Sequence, residues 1–332
     1  MPEARFLRSD EVLDLADTAA YVEAVRAGYR QRGNGAPAKP RTRLDSDEPP
    51  GFLTGYFAIL PESNAMGGYT YTAGFGSRDA HFALPLFEAE SGKLLALFDG
   101  ASMNPYKTGA AGAVGVDALA RSDATAVGLI GSGTQARGQL LATATVRDLE
   151  TVSVFSPTAE NRESFADVMD GEMSAVVEAV TDAQSAVSGA DIVITATTAS
   201  EPVFDGDLLE AGTHVTAMGQ YHPRKREVDG TTVARSTYVP DLRARTEQDA
   251  GAYMLAREHG EIPEDHVHAE LGEVVAGVAP GRQSEDEITL FDSGGTGVET
   301  VAAARLLYDR ARAEGRGRLL EFSPASEAFE GR

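Results

Sequence analysis

Cysteine is absent from the chain, which excludes disulfides, thiolate metal sites and a cysteine nucleophile. No apolar run approaches the roughly 18 residues that a membrane span requires. The opening Met1-Pro-Glu-Ala-Arg-Phe6 has no apolar signal core, which predicts a cytoplasmic protein. Basic residues are few: 29 Lys and Arg stand against 51 Asp and Glu, for a formal net charge of −22. No basic stripe exists to neutralise phosphates, so nucleic acid is not an expected partner, and without an apolar span neither is a membrane. Internal repeats and low-complexity linkers are missing too. His266-x-His268 has no further ligand at metal spacing, so both are read as surface residues and no metal is expected.

The acidic residues are scattered along the chain rather than gathered in a tail. They could form an acidic surface for a partner. The favoured reading is adaptation to salt, because the Debye length falls to about 3 Å at 1 M and self-repulsion is then screened. Asp45, Asp47 and Glu48 are taken as an acidic surface loop of this kind. At 332 residues with 42% hydrophobic content, the chain suits two globular domains.

One stretch organises the rest: Thr125-Ala-Val-Gly-Leu-Ile-Gly-Ser-Gly-Thr-Gln-Ala136. An apolar run, Val127 to Ile130, reads as a parallel strand that turns sharply into a helix. Gly131 permits the tight turn, Gly133 lets a pyrophosphate approach the backbone, and Ala136 allows close packing of helix and strand. The intervening Thr134 and Gln135 open the helix, whose N–H groups and positive dipole end suit phosphates. A structural glycine turn is the competing reading.

Around this stretch the pattern changes character. A helix is expected from about Glu11 to Arg32, capped by Ser9-Asp10. Strands follow over Phe52–Leu60, Gly67–Gly74, Phe82–Glu88 and Lys93–Asp99, the last two joined by an Ala89-Glu-Ser-Gly92 turn. Together these predict a helix with an antiparallel sheet. A helix rich in Ala and Gly begins at Lys107-Thr108. After Thr125, strands at Thr151–Phe155, Ser174–Ala179, Asp191–Thr195, Thr213–Ala217, Thr237–Pro240 and Ile288–Phe291 alternate with helical stretches. The helices include Gln139–Val146, Glu160–Met169, Thr181–Val187, Glu247–His259 and Glu270–Ala276, and a long one runs from Gly297 to about Glu314. The fold class expected is α/β, a doubly wound parallel sheet with a smaller α+β domain. The expected limits are 1–115 with 300–332 for the smaller domain and 116–299 for the dinucleotide-binding domain.

Several ordered motifs resemble the ornithine cyclodeaminase/mu-crystallin family. They are Leu94-Leu-Ala-Leu-Phe-Asp-Gly100, Lys107-Thr-Gly-Ala-Ala111, the glycine turn, and Ala190-Asp-Ile-Val-Ile-Thr-Ala-Thr-Thr-Ala-Ser-Glu-Pro202. Ala211-Gly-Thr-His-Val-Thr-Ala-Met-Gly219, Glu270-Leu-Gly-Glu-Val-Val-Ala-Gly277 and Ser293-Gly-Gly-Thr-Gly-Val-Glu299 complete the set. The resemblance covers nearly the whole chain. It implies a Rossmann domain beside a split substrate-binding domain that forms a homodimer. It also implies an NAD(P)(H)-dependent enzyme acting on a small imino, amino or carbonyl compound.

The matching chemical positions differ from the family's pattern. Its proton-transferring lysine is replaced by Tyr69, its carboxylate-gripping arginine by Lys107, and its aspartate after the fifth strand by Tyr221. Lysine supplies charge but not a bidentate fork. Ornithine cyclodeamination is therefore not the expected reaction, although it and alanine dehydrogenation stay open. A dinucleotide-binding protein without redox turnover is the other alternative. Arg41 matches the family's substrate arginine, with Arg43 as its rival. Tyr69 and Tyr221 would donate protons if Lys107 lowers their pKa values, or they simply fill space. His222 is a weaker acid–base candidate.

The end of the second parallel strand bears on the cofactor. Phe155-Ser156-Pro-Thr158 has no carboxylate for ribose hydroxyls, and Arg162 follows. Ser156, Thr158 and Arg162 favour NADP(H) over NAD(H). Thr108 resembles a cofactor-phosphate residue. Thr195, Thr197, Met218 and Ser293 occupy family-like cofactor positions, with strand-end hydrogen bonding as the alternative for the threonines.

Overall fold

The computed structural model describes residues 3–327. Met1 and Pro2, on which the leader reading partly rests, lie outside the described residues, as do 328–332 of the expected smaller domain. The chain forms two compact units, one of residues 1–107 with 296–332, the other of residues 108–295.

The first unit begins with β1 (Glu3–Leu7), α1 (Ser9–Val12) and α2 (Thr18–Gly33). The single helix expected over Glu11–Arg32 is thus two. The break follows from capping, because the Asp17 carboxylate accepts the Ala20 N–H at 2.8 Å and restarts the helix. Strands β2 (Thr42–Asp47), β3 (Pro50–Leu60), β4 (Ala65–Gly74), β5 (Ser77–Phe87) and β6 (Leu94–Asp99) form a meander. Asp45 and Asp47 therefore lie in a strand, not in the expected loop. Helix α3 (Asn104–Leu119) starts a turn before Lys107.

In the second unit, β7 (Ala126–Ile130), α4 (Thr134–Thr143), β8 (Thr151–Phe155), α5 (Ala159–Asp170), β9 (Val176–Ala179) and α6 (Ala183–Val187) come first. Helix α4 starts directly after the glycine turn, at the expected Thr134, and ends at Thr143, short of the expected Val146. Then come β10 (Ile192–Thr195), β11 (His214–Ala217), α7 (Gly230–Arg235), β12 (Thr237–Pro240), α8 (Gly251–Glu258), α9 (Leu271–Val275) and β13 (Thr289–Asp292). The helix expected from Glu247 begins only at Gly251. The Arg245 carbonyl collects the N–H groups of Gln248, Asp249 and Ala250 at 2.9, 2.9 and 3.0 Å, which closes a tight turn instead. Returning to the first unit, α10 (Gly297–Ala313) and β14 (Arg318–Glu321) end the described fold.

The second unit's sheet is parallel throughout, in the order β12-β13-β11-β10-β7-β8-β9. Both faces are covered, so β10 and β11 are buried along their whole length. Side chains alternate between two cores. Val127, Leu129, Ile192 and Ile194 pack with Leu140 and Phe165. Val193, Val215 and Leu290 pack with Val233 and Tyr253. Helix α3 crosses α4 closely: a Cβ on Gly109 would lie 2.2 Å from the Gly138 carbonyl oxygen. This contact accounts for its small residues.

The first unit's sheet has the order β14-β1-β6-β5-β4-β3-β2. It is mixed, not purely antiparallel, because β1 pairs in parallel with β6. Neither β1 nor β14 was expected from sequence. Helix α10 packs against α2, where a Cβ on Gly28 would stand 3.0 Å from the Ala302 Cβ.

His214 lies at the centre of the parallel sheet, fully buried, with its ring nitrogens 2.9 Å from the hydroxyls of Thr289 and Thr216. Burial lowers its pKa from 6.5 to about 3, with Arg282 and Arg147 adding to the effect. Between those values the unfolded chain binds the proton and the folded chain does not. Stability from this group is therefore lost as pH falls from about 6.5 towards 3, by about 1.4 kcal/mol per unit. We expect His214→Gln to have a shallower decline of unfolding free energy between pH 6 and pH 4 than the unaltered chain. Equal slopes in urea titrations would show that His214 titrates normally.

Candidate active site

The glycine turn joins β7 to α4. Gly131 has φ +123°, and a Cβ there would lie 2.4 Å from the Ala196 carbonyl oxygen, so the turn needs glycine. Gly133 is different: an added Cβ would meet nothing within 4 Å. As N-cap of α4 it provides no side-chain cap, so the first N–H groups of the helix face open space. Thr134 is exposed, and Gln135 keeps a buried Oε1 without a hydrogen-bond partner. A cavity of about 360 Å³ continues from Ser132, Gly133 and Thr134 between α4 and α5. An open, uncapped helix start, whose N–H groups are donors without a side-chain cap, fits a dinucleotide pyrophosphate.

At the end of β8, Ser132 donates to the Ser156 hydroxyl at 2.9 Å, and Arg162 donates to the Ser156 carbonyl at 3.1 Å. Thr158 is exposed beside them. Thr108 lies on α3, and its carbonyl accepts from Gln139 Nε2 at 2.8 Å.

Farther along the same edge stands a residue that sequence reasoning missed. Glu227, only 2% exposed, accepts from the Thr195 hydroxyl at 3.1 Å and from the N–H groups of Thr197 and Gly219, both at 2.6 Å. Burial raises its pKa, and those hydrogen bonds offset only part of that rise. Its setting in Arg224-Lys-Arg-Glu227 reads as solvated surface, so no local signal marks it. Met218 is buried, its N–H bonded to the Thr195 carbonyl at 3.0 Å. Tyr221 and His222 are half-buried on the loop after β11, where His222 Nδ1 accepts the Arg224 N–H at 3.1 Å. That bond fixes His222 in a local turn.

Ser293 belongs to a buried charge cluster. Its hydroxyl donates to Asp241 at 2.9 Å. Arg245, 1% exposed, pairs with Asp241 at 3.1 Å, Asp249 at 2.6 Å and Asp292 at 3.4 Å. Tyr238 adds a 2.6 Å hydrogen bond to Asp292. Burial pulls the guanidinium pKa down, and the surrounding aspartates together hold it well above its ordinary value.

In the first unit the structure brings Arg41, Tyr69 and Lys107 together around Tyr56. Arg41, 5% exposed, donates to the Tyr71 hydroxyl at 2.6 Å, and its guanidinium is 5.3 Å from the Tyr56 ring centroid. Lys107 Nζ lies 5.7 Å from the Tyr56 centroid and 5.5 Å from that of Tyr69. Arg43, the rival arginine, instead pairs with Asp45 and stacks on Phe52 at 3.9 Å.

Two expectations change here. Lys107 does not lower the pKa of Tyr69. The phenol is fully buried and donates to the Gly100 carbonyl at 2.7 Å. Burial, followed by Tyr56, Tyr21 and Glu299, pushes its pKa well above 10. The ammonium of Lys107 is itself paired, 3.1 Å from Glu299, both side chains at most 2% exposed. Glu299 also accepts from Tyr29 at 3.2 Å and from the N–H and hydroxyl of Thr296 at 2.9 and 2.8 Å. The Thr296-x-x-Glu299 capping-box spacing is a signal that could have marked Glu299, whereas no local signal marks its pairing with Lys107. Among the described residues no group of acidic or histidine side chains could hold a metal ion, and no helix is long and apolar enough to cross a membrane.

Removing Arg245 would leave several buried carboxylates facing one another. Arg245→Met is expected to cost about 3–5 kcal/mol, the scale for breaking a buried ion pair on one side. Chemical denaturation measures this directly, and a loss below about 1 kcal/mol would mean that the cluster contributes little.

Comparison with known proteins agrees with this architecture. The Δ1-pyrroline-2-carboxylate reductase of Bacillus cereus is 33% identical, over 80% of this chain and 78% of that protein. The corresponding Thermococcus litoralis reductase, solved with NADH and L-proline, superposes with a TM-score of 0.89 at 32% identity, covering 95% of this chain and 99% of that one. An archaeal alanine dehydrogenase dimer with bound NAD gives 0.90 at 28% identity, covering 97% and 100%. The sequence profile of the ornithine cyclodeaminase/mu-crystallin family matches residues 3–315, and the chain belongs to that family.

Proposed function

We propose that the chain is an NAD(P)(H)-dependent oxidoreductase acting on a small imino, amino or carbonyl compound other than ornithine. The observation that carries this reading is the open, uncapped start of α4 at Gly133, on the edge of the parallel sheet where Glu227 orders Thr195, Thr197 and Gly219. The relatives solved with NADH or NAD support it. A bound nicotinamide would exchange a hydride with the substrate carbon. The protein's part is to position both groups and to exclude water.

In the first unit, Arg41 is the proposed grip for a substrate anion, oriented by Tyr71. Lys107 supports the site from within, since its charge is paired with Glu299. Tyr69 and Tyr221 remain proposed pocket residues. With its pKa raised, Tyr69 suits shaping the pocket better than proton transfer. The second reading, dinucleotide binding without turnover, is favoured by the same internal pairing of Lys107.

For the cofactor, Ser156, Thr158 and Arg162 support NADP(H) over NAD(H), with no carboxylate between Phe155 and Ala159 to repel a 2′-phosphate. Assembly as a homodimer through the first unit fits the exposed Leu44, Leu53, Phe57 and Ile59 on β2 and β3. A salt-adapted setting goes with the acidic composition.

Two measurements test this. Titration with NADH and NADPH should show binding that Gly133→Val abolishes with the fold retained, because a Cβ at Gly133 meets no protein atom. Arg162→Ala should weaken NADPH by about tenfold, the scale of one charge-assisted hydrogen bond, and leave NADH unchanged. Undiminished binding to Gly133→Val would reduce the turn to a structural feature. A cofactor-oxidation screen with keto acids, imino acids and amines in high salt then separates enzyme from binding protein. Separately, the melting temperature should fall as salt drops from molar to millimolar; an unchanged value would end the salt-adaptation reading.

A further inference from the structure

The stretch from Gly219 to Glu227 leaves β11, carries Tyr221 and His222, and returns to the sheet edge at Glu227. Its two ends are joined directly, the Gly219 N–H donating to Glu227 Oε2 at 2.6 Å. The other carboxylate oxygen accepts the Thr197 N–H at 2.6 Å, on the separate loop that leaves β10. Thr195, the last residue of β10, adds its hydroxyl at 3.1 Å. Further bonds run the same way: Val203 N–H to the Glu227 carbonyl at 2.8 Å, and Gln220 Nε2 to the Ala199 carbonyl at 2.6 Å. The approach is tight. A Cβ on Gly219 would stand 2.3 Å from the Thr197 carbonyl oxygen and 2.4 Å from Glu227 Oε1.

We propose that Glu227 is the positioning residue of the dinucleotide site: its buried carboxylate closes the loop that carries Tyr221 and pins it to the loop after β10. The inference rests on the dinucleotide reading above. Both loops leave the carboxyl ends of neighbouring parallel strands, where ligands of open α/β sheets bind. Loops there have no ladder to fix them, and their N–H groups need acceptors. One carboxylate supplies acceptors to both loops at once. A carboxamide cannot do the same, because its amino end would face an N–H donor.

The test compares the unaltered chain with Glu227→Gln and Glu227→Asp. Hydrogen exchange is followed at the Thr197 and Gly219 amides without ligand, and NADH and NADPH affinities are measured by fluorescence titration. In Glu227→Gln both amides should exchange at least about tenfold faster, while Val193 and Val215 inside the sheet keep their protection. The tighter-bound dinucleotide should weaken by about tenfold. Glu227→Asp, which keeps the charge but shortens the reach, should fall between. Unaltered exchange in Glu227→Gln overturns the clasp. Faster exchange with affinity within twofold of the original overturns its positioning role. Faster exchange throughout the sheet would mean a general loss of stability, which also counts against the proposal. If the unaltered chain binds neither dinucleotide, the functional reading fails, and exchange at the two amides still decides whether the carboxylate closes the loop.

Discussion

A carboxylate sealed from water keeps its place only where donors converge on it. Much of this structure is arranged around that constraint. Glu227 gathers Thr195, Thr197 and Gly219; Asp241 gathers Arg245, Ser293 and the N–H groups of Gly294 and Gly295; Glu299 gathers Lys107, Tyr29 and Thr296. In the second unit these acids sit where the chain leaves the parallel strands. Backbone there has left the ladder, and its N–H groups would otherwise be buried without partners. Acid and loop therefore stabilise each other.

The first unit applies the same constraint to a different end. Glu299 is buried at the start of α10 and needs a cation nearby. A lysine ammonium fits, being a compact charge that can rest between the rings of Tyr56 and Tyr69. An arginine fork at the same place would demand a planar partner on both edges. Tyr69 fits the same logic, because a lysine there would bring a second buried cation beside Lys107 with Glu299 already engaged. The tyrosine fills the space, and its hydroxyl finds the Gly100 carbonyl. The side chains at Tyr69 and Lys107 are thus coupled by charge and by volume.

What could be read from sequence followed the reach of each interaction. The β7–α4 turn was legible because strand, glycines and helix start are neighbours in the chain. The alternation after Thr125 was legible for the same reason, since each strand is a short apolar run bounded by polar turns. Strands β1 and β14 were not, since Glu3 pairs with Glu321 from the far end of the chain. The break before α2 escaped because apolar spacing runs on through Leu13 and Leu15, and only the Asp17 cap marks a new start. Glu227 escaped for a further reason. Its neighbours are basic and polar, and it is buried by the strands it returns to rather than by its own segment.

Sheet order also sorts charge. The cluster of Arg245 with Asp241, Asp249 and Asp292 holds more negative than positive groups, and it lies by the ends of β12 and β13. The anion-seeking start of α4 lies at the end of β7, separated from β13 by β11 and β10. With strands about 4.8 Å apart, the separation is roughly 14 Å, which weakens direct repulsion by distance. Were the two adjacent, the excess aspartates would repel any phosphate drawn to the helix start. Polar hydrogens from Tyr238, Ser293 and the Gly294 and Gly295 amides absorb what Arg245 does not neutralise. The parallel order thus lets one sheet edge bury an acidic cluster on one flank and present an uncapped helix to an anion on the other.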